Sequence, residues 1–352
     1  MKILVIDDAF TENIGDKAIE FCMKNLLQYK FSNADISFQS YRGKYEPPRK
    51  NKLKANLTSK YFFIGKTKKY LPLKLFYRTR WFFQNFQELL LKHRYTEYDL
   101  LIIGGGPLID GFWMYPFAFW LWARGIKANK IILLGMGYGY GLSIFDKKMV
   151  KNALKNVDEI FLRDASSITR FQEDFGVSCK FMPDVAFAIS KFMDSSPRIA
   201  KRITFFPLNY EVYKVQASLK EIVLLADEYF ILIVKTIKEW HLRGFSIGLS
   251  TSQASQDLAI LEQIHDKLIE LEIEVEVTIP KNLESLVEVI SSSEIIFSGR
   301  MHALIVGYAY DCQCIAFPST LKLSNFDEEI IKPKKRLYDI NKSIFQTFEN
   351  IP

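Results

Sequence analysis

The sequence predicts an α/β protein with two Rossmann-like domains, and three observations favour this fold class. From Met1 to Ile189, short apolar segments typical of buried parallel strands alternate with amphipathic, helix-like segments. The stretch Phe192–Arg202 contains Ser and Pro and has the composition of a hinge. A second alternating series begins at Ile203. Such alternation is typical of doubly wound parallel sheets.

The domain boundaries follow from this pattern. We expect an N-terminal Rossmann-like domain at residues 1–195, which contains a basic and aromatic insertion at 42–83. We expect a C-terminal Rossmann-like domain at 196–334 and a final helix at 335–352 that packs back on the first domain. Two such domains facing across a cleft would form a glycosyltransferase-B-like architecture.

Composition and charge limit the class of protein. The chain has 352 residues and a formal net charge of +7, which fits an anionic substrate, an anionic membrane surface or nucleic acid. The four cysteines form no CxxC pair, so reduced thiols are expected. The N-terminus reads as a buried strand without a secretory signal, and the longest apolar run, Phe112–Trp122, is too short to span a bilayer. These features predict a cytoplasmic protein.

The insertion at 42–83 is strongly basic. Between Arg42 and Arg80 it holds 13 Lys or Arg residues against one acid, Glu46, with many aromatic residues interleaved. This composition fits single-stranded nucleic acid, an anionic membrane surface, or a solvated loop joined to a core-facing helix. Because the sequence has no RNA-binding signature, we expect no nucleic acid partner. The membrane surface and the solvated loop both remain open.

Two glycine-containing turns follow predicted strands in the first half. Gly15 and Asp16 lie between the first strand and an amphipathic helix, and Gly105 and Gly106 end the strand that begins at Asp99. Glycine lets the backbone come close to a ligand, although such turns also occur without one. We therefore predict that these four residues lie in loops that line the cleft.

One strand–helix–strand segment near the C-terminus gives the strongest indication of a site. An apolar strand ends at Ser298, and Arg300 and His302 stand at the start of the next helix. A second apolar strand, Cys314–Phe317, follows the helix and leads to Lys322. Parallel neighbouring strands end at the same edge of a sheet, and a helix N-terminus favours negative charge. The three basic residues are therefore expected to converge on one anionic ligand.

Arg163 is a further candidate anion ligand. It follows a predicted strand at Glu159–Leu162 and precedes the start of a helix near Ser166. A cation between a strand end and a helix N-terminus could bind an anionic group. The alternative is a structural ion pair between Arg163 and a neighbouring residue.

The C-terminal segment resembles the polysaccharide pyruvyl transferase family. The resemblance rests on the R-x-H-A-L pattern at Arg300–Leu304, on an apolar strand that ends in Pro318, and on Lys322. Four further segments agree with it in the same order along the chain. They are IGDKAI (Ile14–Ile19), DLLIIGGGPL (Asp99–Leu108), IFLRDASS (Ile160–Ser167) and PDVAF (Pro183–Phe187).

The resemblance implies a reaction and a set of site residues. Members of the family transfer the enolpyruvyl carbons of phosphoenolpyruvate to a sugar, usually as a cyclic ketal. Their functional Arg, His and Lys look like Arg163, His302 and Lys322. We expect His302 to be the catalytic general acid, with Arg163, Arg300 and Lys322 binding phosphoenolpyruvate. This chemistry requires no cofactor and no metal.

The resemblance also suggests the partners. The expected acceptor is a saccharide, either free or polyprenyl-linked, held by the N-terminal domain through the loops of Gly15, Asp16, Gly105 and Gly106, while the C-terminal domain holds phosphoenolpyruvate. A polyprenyl-linked acceptor would agree with peripheral contact with the inner face of an anionic membrane. The remaining histidines, at positions 93, 241 and 265, lie among charged residues and are expected at the surface.

Two alternatives stay open. A glycosyltransferase-B-type glycosyltransferase would use the same architecture with a nucleotide sugar, and the acids at Asp327–Glu329 could contact its ribose. A non-catalytic carbohydrate-binding protein would not need Arg300, His302 and Lys322 together.

Overall fold

The computed structural model divides into two compact units, each built from separate stretches of the chain. The first unit comprises Met1–Phe10, Met23–Asp184 and Ser343–Pro352, and the second comprises Thr11–Cys22 and Val185–Lys342. The residues that the structure describes are 1–7, 12–43, 71–87, 92–111, 114–217, 223–317 and 321–351.

The first unit contains a parallel sheet of six strands in the order β2-β1-β3-β4-β5-β6. The middle segments of the central strands, at 3–6, 100–103 and 131–134, are apolar and buried, as in doubly wound folds. The strands are β1 Lys2–Asp7, β2 Asp35–Ser40, β3 Glu97–Ile109, β4 Lys127–Tyr138, β5 Glu159–Leu162 and β6 Lys180–Phe181.

Two helices of this unit begin at side-chain caps. Ser143 and Asp146 form a capping box, and Asp164 accepts a hydrogen bond from the backbone N–H of Ser167 at the start of another helix. Gly176 ends that second helix in a left-handed conformation. The helices are Leu71–Gln87, Tyr115–Gly125, Ile144–Ala153 and Ala165–Phe175, with a 3₁₀ turn at Leu154–Asn156; Ile14–Lys30 is divided between the units after Cys22.

The second unit contains a parallel sheet of five strands in the order β11-β10-β7-β8-β9. The presence of two parallel α/β sheets confirms the predicted fold class. The strands are β7 Arg202–Phe206, β8 Ser246–Ser250, β9 Val275–Thr278, β10 Ile295–Ser298 and β11 Gln313–Ala316.

The helices of the second unit follow its strands, as parallel connections require. Their apolar faces cover the sheet, and Ile237, Ile264 and Leu286 are among the fully buried side chains. The helices are Tyr210–Ala217, Ala226–Leu242, Ala254–Glu270, Leu283–Ser291, Met301–Ala309 and Leu321–Phe326, with a 3₁₀ helix at Val185–Lys191, a π-helix at Asp327–Ile331 and a last helix, Leu337–Glu349, that is divided between the units before Ser343.

The chain passes from the first unit to the second at a different residue from the one expected from the sequence. The division after Asp184 precedes the expected one at residue 195, because Phe187 already packs against aromatic residues of the second unit. The Phe187 ring lies 6.0 Å from that of Tyr308 and 6.1 Å from that of Phe326. The hinge-like Ser-Pro stretch therefore lies inside the second unit.

The end of the last helix contacts the end of the first helix within the first unit. The Phe345 ring packs edge-on against Tyr29 at 5.6 Å, and Lys30 Nζ donates to the backbone oxygen of Glu349 (2.7 Å). Most of the basic insertion, at 44–70, lies outside the described residues, whereas its last part belongs to the helix Leu71–Gln87. In the described part of the chain, no helix is long and apolar enough to cross a membrane.

The expectation that His93 lies at the surface is wrong. Its side chain is buried in the first unit, where Nδ1 lies 2.8 Å from Tyr98 Oη and Nε2 lies 3.3 Å from Gln39 Oε1. A buried polar side chain is tolerated when its hydrogen-bonding atoms have partners. Both ring nitrogens of His93 have one, which explains the burial.

Candidate functional site

The junction between β10 and the helix Met301–Ala309 is fixed by local hydrogen bonds. Ser298 Oγ accepts from the backbone N–H of Arg300 (2.8 Å) and donates to the backbone oxygen of Arg300 (3.0 Å). A Cβ added at Gly299 would lie 2.8 Å from Leu208 Cγ, so this turn requires glycine. The serine and glycine therefore determine where Arg300 and His302 start the helix.

The Arg300 guanidinium lies against helix Ala254–Glu270. Its Nε and Nη2 donate to the two carboxylate oxygens of Asp257 at 2.9 and 2.6 Å, which is a bidentate pair. Nη1 donates to Gln253 Oε1 (3.0 Å), and Nη2 also donates to Gln256 Oε1 (3.2 Å). These bonds use four of the five N–H groups of a guanidinium. Arg300 therefore has a structural role, and its predicted binding of phosphoenolpyruvate stays a prediction.

Asp257 links the ends of three strands. Besides Arg300, which follows β10, its carboxylate accepts from the backbone N–H of Asn209 after β7 (3.1 Å) and from Thr251 Oγ after β8 (2.8 Å). The carboxylate is fully buried. A buried carboxylate is stable only when it is paired and hydrogen-bonded, and these four donors meet that requirement. No sequence motif indicates this role of Asp257.

His302 lies in the first turn of its helix and contacts the first turn of helix Ile14–Lys30, so Gly15 and Asp16 are helical and do not form the predicted loop. Its ring is 8% exposed, and Nδ1 lies 3.4 Å from Oδ1 of Asp16, whose side chain is 21% exposed. Both residues belong to the second unit. The structure therefore brings together one residue predicted to be catalytic and one predicted to lie in a cleft loop.

The turn that carries Asp16 is anchored to the second sheet. Asn13 Nδ2 donates to Asp16 Oδ2 (2.9 Å), while Asn13 Oδ1 accepts from the backbone N–H of Gly15 (3.1 Å). The backbone N–H of Ile14 donates to the oxygen of Ser252, which follows β8 (2.8 Å). The carboxylate of Asp16 is thus held in place by its own turn.

Gly15 allows the close approach of His302. A Cβ added at Gly15 would lie 2.7 Å from His302 Cβ and 2.9 Å from His302 Nδ1. Real Cβ atoms essentially never come so close to another heavy atom. From the sequence, Gly15 could allow a ligand close to the backbone; within the second unit, the close neighbour of Gly15 is His302.

Arg163 lies in the first unit and forms a buried ion pair. Its Nη1 donates to Asp184 Oδ2 (2.6 Å), and both side chains are buried. A Cβ added at Gly137 would lie 3.1 Å from Arg163 Nε, so the guanidinium packs closely on the glycine-rich end of β4. The structure thus contains the alternative interaction for Arg163, and its binding of a ligand stays a prediction.

The remaining candidate residues are less closely described. Gly105 and Gly106 have φ values of 79° and 82°, a left-handed conformation that favours glycine. A Cβ added at Gly106 would meet no atom within 4 Å, so this position faces open space. The backbone of Lys322 lies in the helix Leu321–Phe326, but its side chain lies outside the described part of the structure.

The sequence motifs meet in pairs within each unit. IGDKAI and the R-x-H-A-L segment meet through Gly15, Asp16 and His302. IFLRDASS and PDVAF meet through Arg163 and Asp184. Neither pairing was predicted, because each joins residues distant in sequence.

Comparisons with known proteins find a matching family model and similar solved structures. A family model described as polysaccharide pyruvyl transferase matches residues 13–320. The S. aureus MnaA–UDP structure is similar with a TM-score of 0.51 at 11% identity, over 99% of this chain and 90% of that chain. UDP-GlcNAc 2-epimerase from Neisseria meningitidis, bound to UDP-GlcNAc, gives 0.48 at 13% identity, over 100% and 95%. No curated protein matches significantly. The likeness to MnaA supports the predicted glycosyltransferase-B-like fold class.

We predict that Gly15→Ala destabilises the protein through a clash with His302. Alanine favours a helix over glycine by about 1 kcal/mol, whereas overpacking typically costs about 1–3 kcal/mol. Thermal unfolding should therefore show a lower melting temperature for Gly15→Ala but not for Lys24→Ala, an exposed change on the same helix. In a His302→Gly background, which removes the clashing atoms, the loss should shrink. An equal loss in both backgrounds would contradict this explanation.

We predict that Asp257→Leu lowers the free energy of unfolding by about 3–5 kcal/mol, because Arg300 is left as an uncompensated charge in a mostly buried position. The double variant Asp257→Leu/Arg300→Met should lose less, since apolar replacement of a whole buried pair is often nearly neutral. Urea unfolding measures both. A double variant at least as unstable as the single variant would show that the ion pair is not the main contribution of Asp257.

Proposed function

The chain belongs to the polysaccharide pyruvyl transferase family, and we propose that it transfers the enolpyruvyl group of phosphoenolpyruvate to a sugar and forms a pyruvate ketal. The acceptor would be a sugar of a cell-surface polysaccharide or of its lipid-linked precursor. The observation that carries this proposal is the placement of His302, a proton carrier, at the start of a helix that follows a parallel strand.

His302 is the proposed general acid. Its imidazolium would give a proton to the methylene carbon of phosphoenolpyruvate, which leaves an oxocarbenium-like centre at the adjacent carbon. One sugar hydroxyl attacks that centre, phosphate leaves, and a second hydroxyl closes the ketal. The methylene carbon gains one of the two hydroxyl protons in the overall balance, and the other leaves on the phosphate.

The anionic donor requires cationic partners, for which we propose Arg163, Arg300 and Lys322. A guanidinium suits a carboxylate because its N–H groups form a planar fork, and an ammonium suits a phosphate as a compact charge. The start of Met301–Ala309 supports an anion near His302, because a helix N-terminus carries partial positive charge. Because Arg300 is engaged by Asp257, we expect Lys322 to contribute more than Arg300 to ground-state binding.

We predict that His302→Ala lowers kcat by about 10²–10⁴-fold, since a positioned general acid contributes about that much. Lys322→Ala should chiefly raise the KM for phosphoenolpyruvate, because it removes a charge contact made in the ground state as well as in the transition state. His265→Ala, a change on the outer surface of the second unit, is the matched control. Phosphate release from phosphoenolpyruvate with a saccharide acceptor measures all three, and product mass identifies the ketal.

Two outcomes would reject these assignments. Turnover of His302→Ala close to that of the wild type would reject the general acid. Transfer from a sugar nucleotide, with none from phosphoenolpyruvate, would reject the proposed donor and favour a glycosyltransferase.

We also propose that the first unit contacts an anionic membrane surface, where it would meet a polyprenyl-linked acceptor. The support is an exposed apolar pair at the start of helix Ile144–Ala153, with Ile144 78% and Phe145 61% exposed. The exposed Lys148 and Lys151 lie on the same helix, and the ion pair between Arg78 and Asp146 joins this helix to Leu71–Gln87. In sequence, that second helix follows and partly overlaps a segment, 42–80, that is rich in Lys and Arg. Apolar side chains flanked by basic residues are typical of peripheral membrane contact.

We predict that the protein floats with anionic vesicles at low salt and less with neutral ones, because each Lys or Arg near an anionic surface contributes about 1 kcal/mol. The double change Ile144→Ser/Phe145→Ser should reduce flotation. Leu242→Ser, which alters a side chain 74% exposed in the second unit, should not. Equal recovery with neutral and anionic vesicles would reject the membrane contact.

A further inference from the structure

We infer that Asp16 is a positioning residue for His302 and selects Nε2 as the ring atom that delivers the proton. This inference rests on the proposed function, since it concerns the same histidine. It gives Asp16 a role different from the predicted one, in which Asp16 belongs to a loop that holds the acceptor.

The two oxygens of Asp16 have different partners. Oδ1 lies 3.4 Å from His302 Nδ1, and Oδ2 accepts from Asn13 Nδ2 at 2.9 Å. The hydrogen bond from Asn13 limits rotation of the carboxylate, so that Oδ1 continues to point toward the ring. A carboxylate held by a second side chain orients a histidine better than one that can rotate freely.

The turn that holds Asp16 is itself immobilised on the second sheet. The backbone N–H of Ile14 donates to the oxygen of Ser252 after β8, and that of Gly15 donates to Asn13 Oδ1. Gly15 has no side chain, which allows the turn to approach His302 closely. The turn therefore forms a rigid support for one edge of the imidazole ring.

A carboxylate next to Nδ1 determines which nitrogen can react. In the neutral ring it favours the proton on Nδ1, because that N–H can point at the negative oxygen. Nε2 is then the nitrogen that gains and loses a proton during the reaction. The Nδ1 proton does not move during the reaction.

The proton transfer balances with Nε2 as the reacting atom. The Nε2–H bond of the imidazolium breaks while a C–H bond forms at the methylene carbon, and the electron pair of the broken bond stays on the ring. The first sugar hydroxyl later returns a proton to Nε2 as its oxygen bonds to the central carbon. The proton of the second hydroxyl leaves on the phosphate. His302 thus ends each cycle as it began, without reorientation.

The first test is kinetic and uses a matched control. Asp16→Asn keeps the shape of the side chain but removes its charge, and we expect kcat to fall by about 10²-fold or more while the KM for phosphoenolpyruvate changes little. Asp266→Asn is the control, because Asp266 Oδ1 lies 3.5 Å from His265 Nδ1 on the exposed side of another helix. The control should keep full activity. Retention of kcat in Asp16→Asn, in an enzyme whose wild type transfers from phosphoenolpyruvate, would overturn the inference and leave the proposed function standing.

The second test measures the tautomer and needs no substrate. Long-range ¹H–¹⁵N spectra of ¹⁵N-histidine-labelled protein report which ring nitrogen carries the proton, and the signal lost in His302→Ala identifies His302 among the four histidines. The wild type should show the Nδ1–H form, and Asp16→Asn should show a mixture. An unchanged tautomer would overturn the inference. A changed tautomer in a protein inactive with phosphoenolpyruvate would support the positioning and reject the proposed function.

Asn13→Ala provides an independent variant in case Asp16→Asn does not fold. It keeps Asp16 but removes the hydrogen bond that holds Oδ2. We expect the same changes in kcat and tautomer at smaller amplitude. Wild-type kcat and tautomer in a folded Asn13→Ala protein would show that the support has no role.

Discussion

The second unit depends on the buried ion pair between Arg300 and Asp257. This carboxylate also receives hydrogen bonds from Asn209 and Thr251, so a single side chain joins the ends of β7, β8 and β10. Removing one member of such a network leaves a buried charge without a partner, whereas the intact network is electrostatically satisfied. Arg300 also stands at the start of the helix that carries His302. The position of the proposed general acid therefore depends on Asp257, through Arg300.

A second constraint is the absence of a side chain at position 15, which allows Asp16 to lie close to His302. Asp16 can reach Nδ1 of His302 only if its turn lies almost against the ring, and any Cβ at Gly15 would prevent that approach. The ion pair between Arg300 and Asp257 thus fixes the start of the helix that carries His302. The absence of a side chain at Gly15 lets Asp16 lie close to the His302 ring. The position of the His302 ring thus depends on Gly15 near the start of the sequence and on Arg300 near its end.

Much of the fold and part of the candidate site could be predicted from the sequence. The apolar strands followed by small and polar residues reveal the two parallel sheets, and the spacing of Arg300 and His302 places them at a strand end. The partners could not be predicted, because a carboxylate such as Asp257 in the first turn of a helix looks like a dipole-favoured surface residue until the fold buries it. The burial of His93 could not be predicted for the same reason. Its neighbours in sequence are charged, whereas its partners in the fold, Tyr98 and Gln39, are buried residues.

The way the chain is divided between the two units has a consequence for biogenesis. Residues 11–22 are synthesised early but belong to a unit whose other stretch, 185–342, emerges much later from the ribosome. The first unit in turn contains residues 343–352, which are synthesised after that whole stretch. Neither unit is a contiguous module, so neither can be excised at a single cut, and folding must await contacts of long sequence separation, which slows it. Until residues 185–342 emerge, the segment 11–22 lacks the unit to which it belongs.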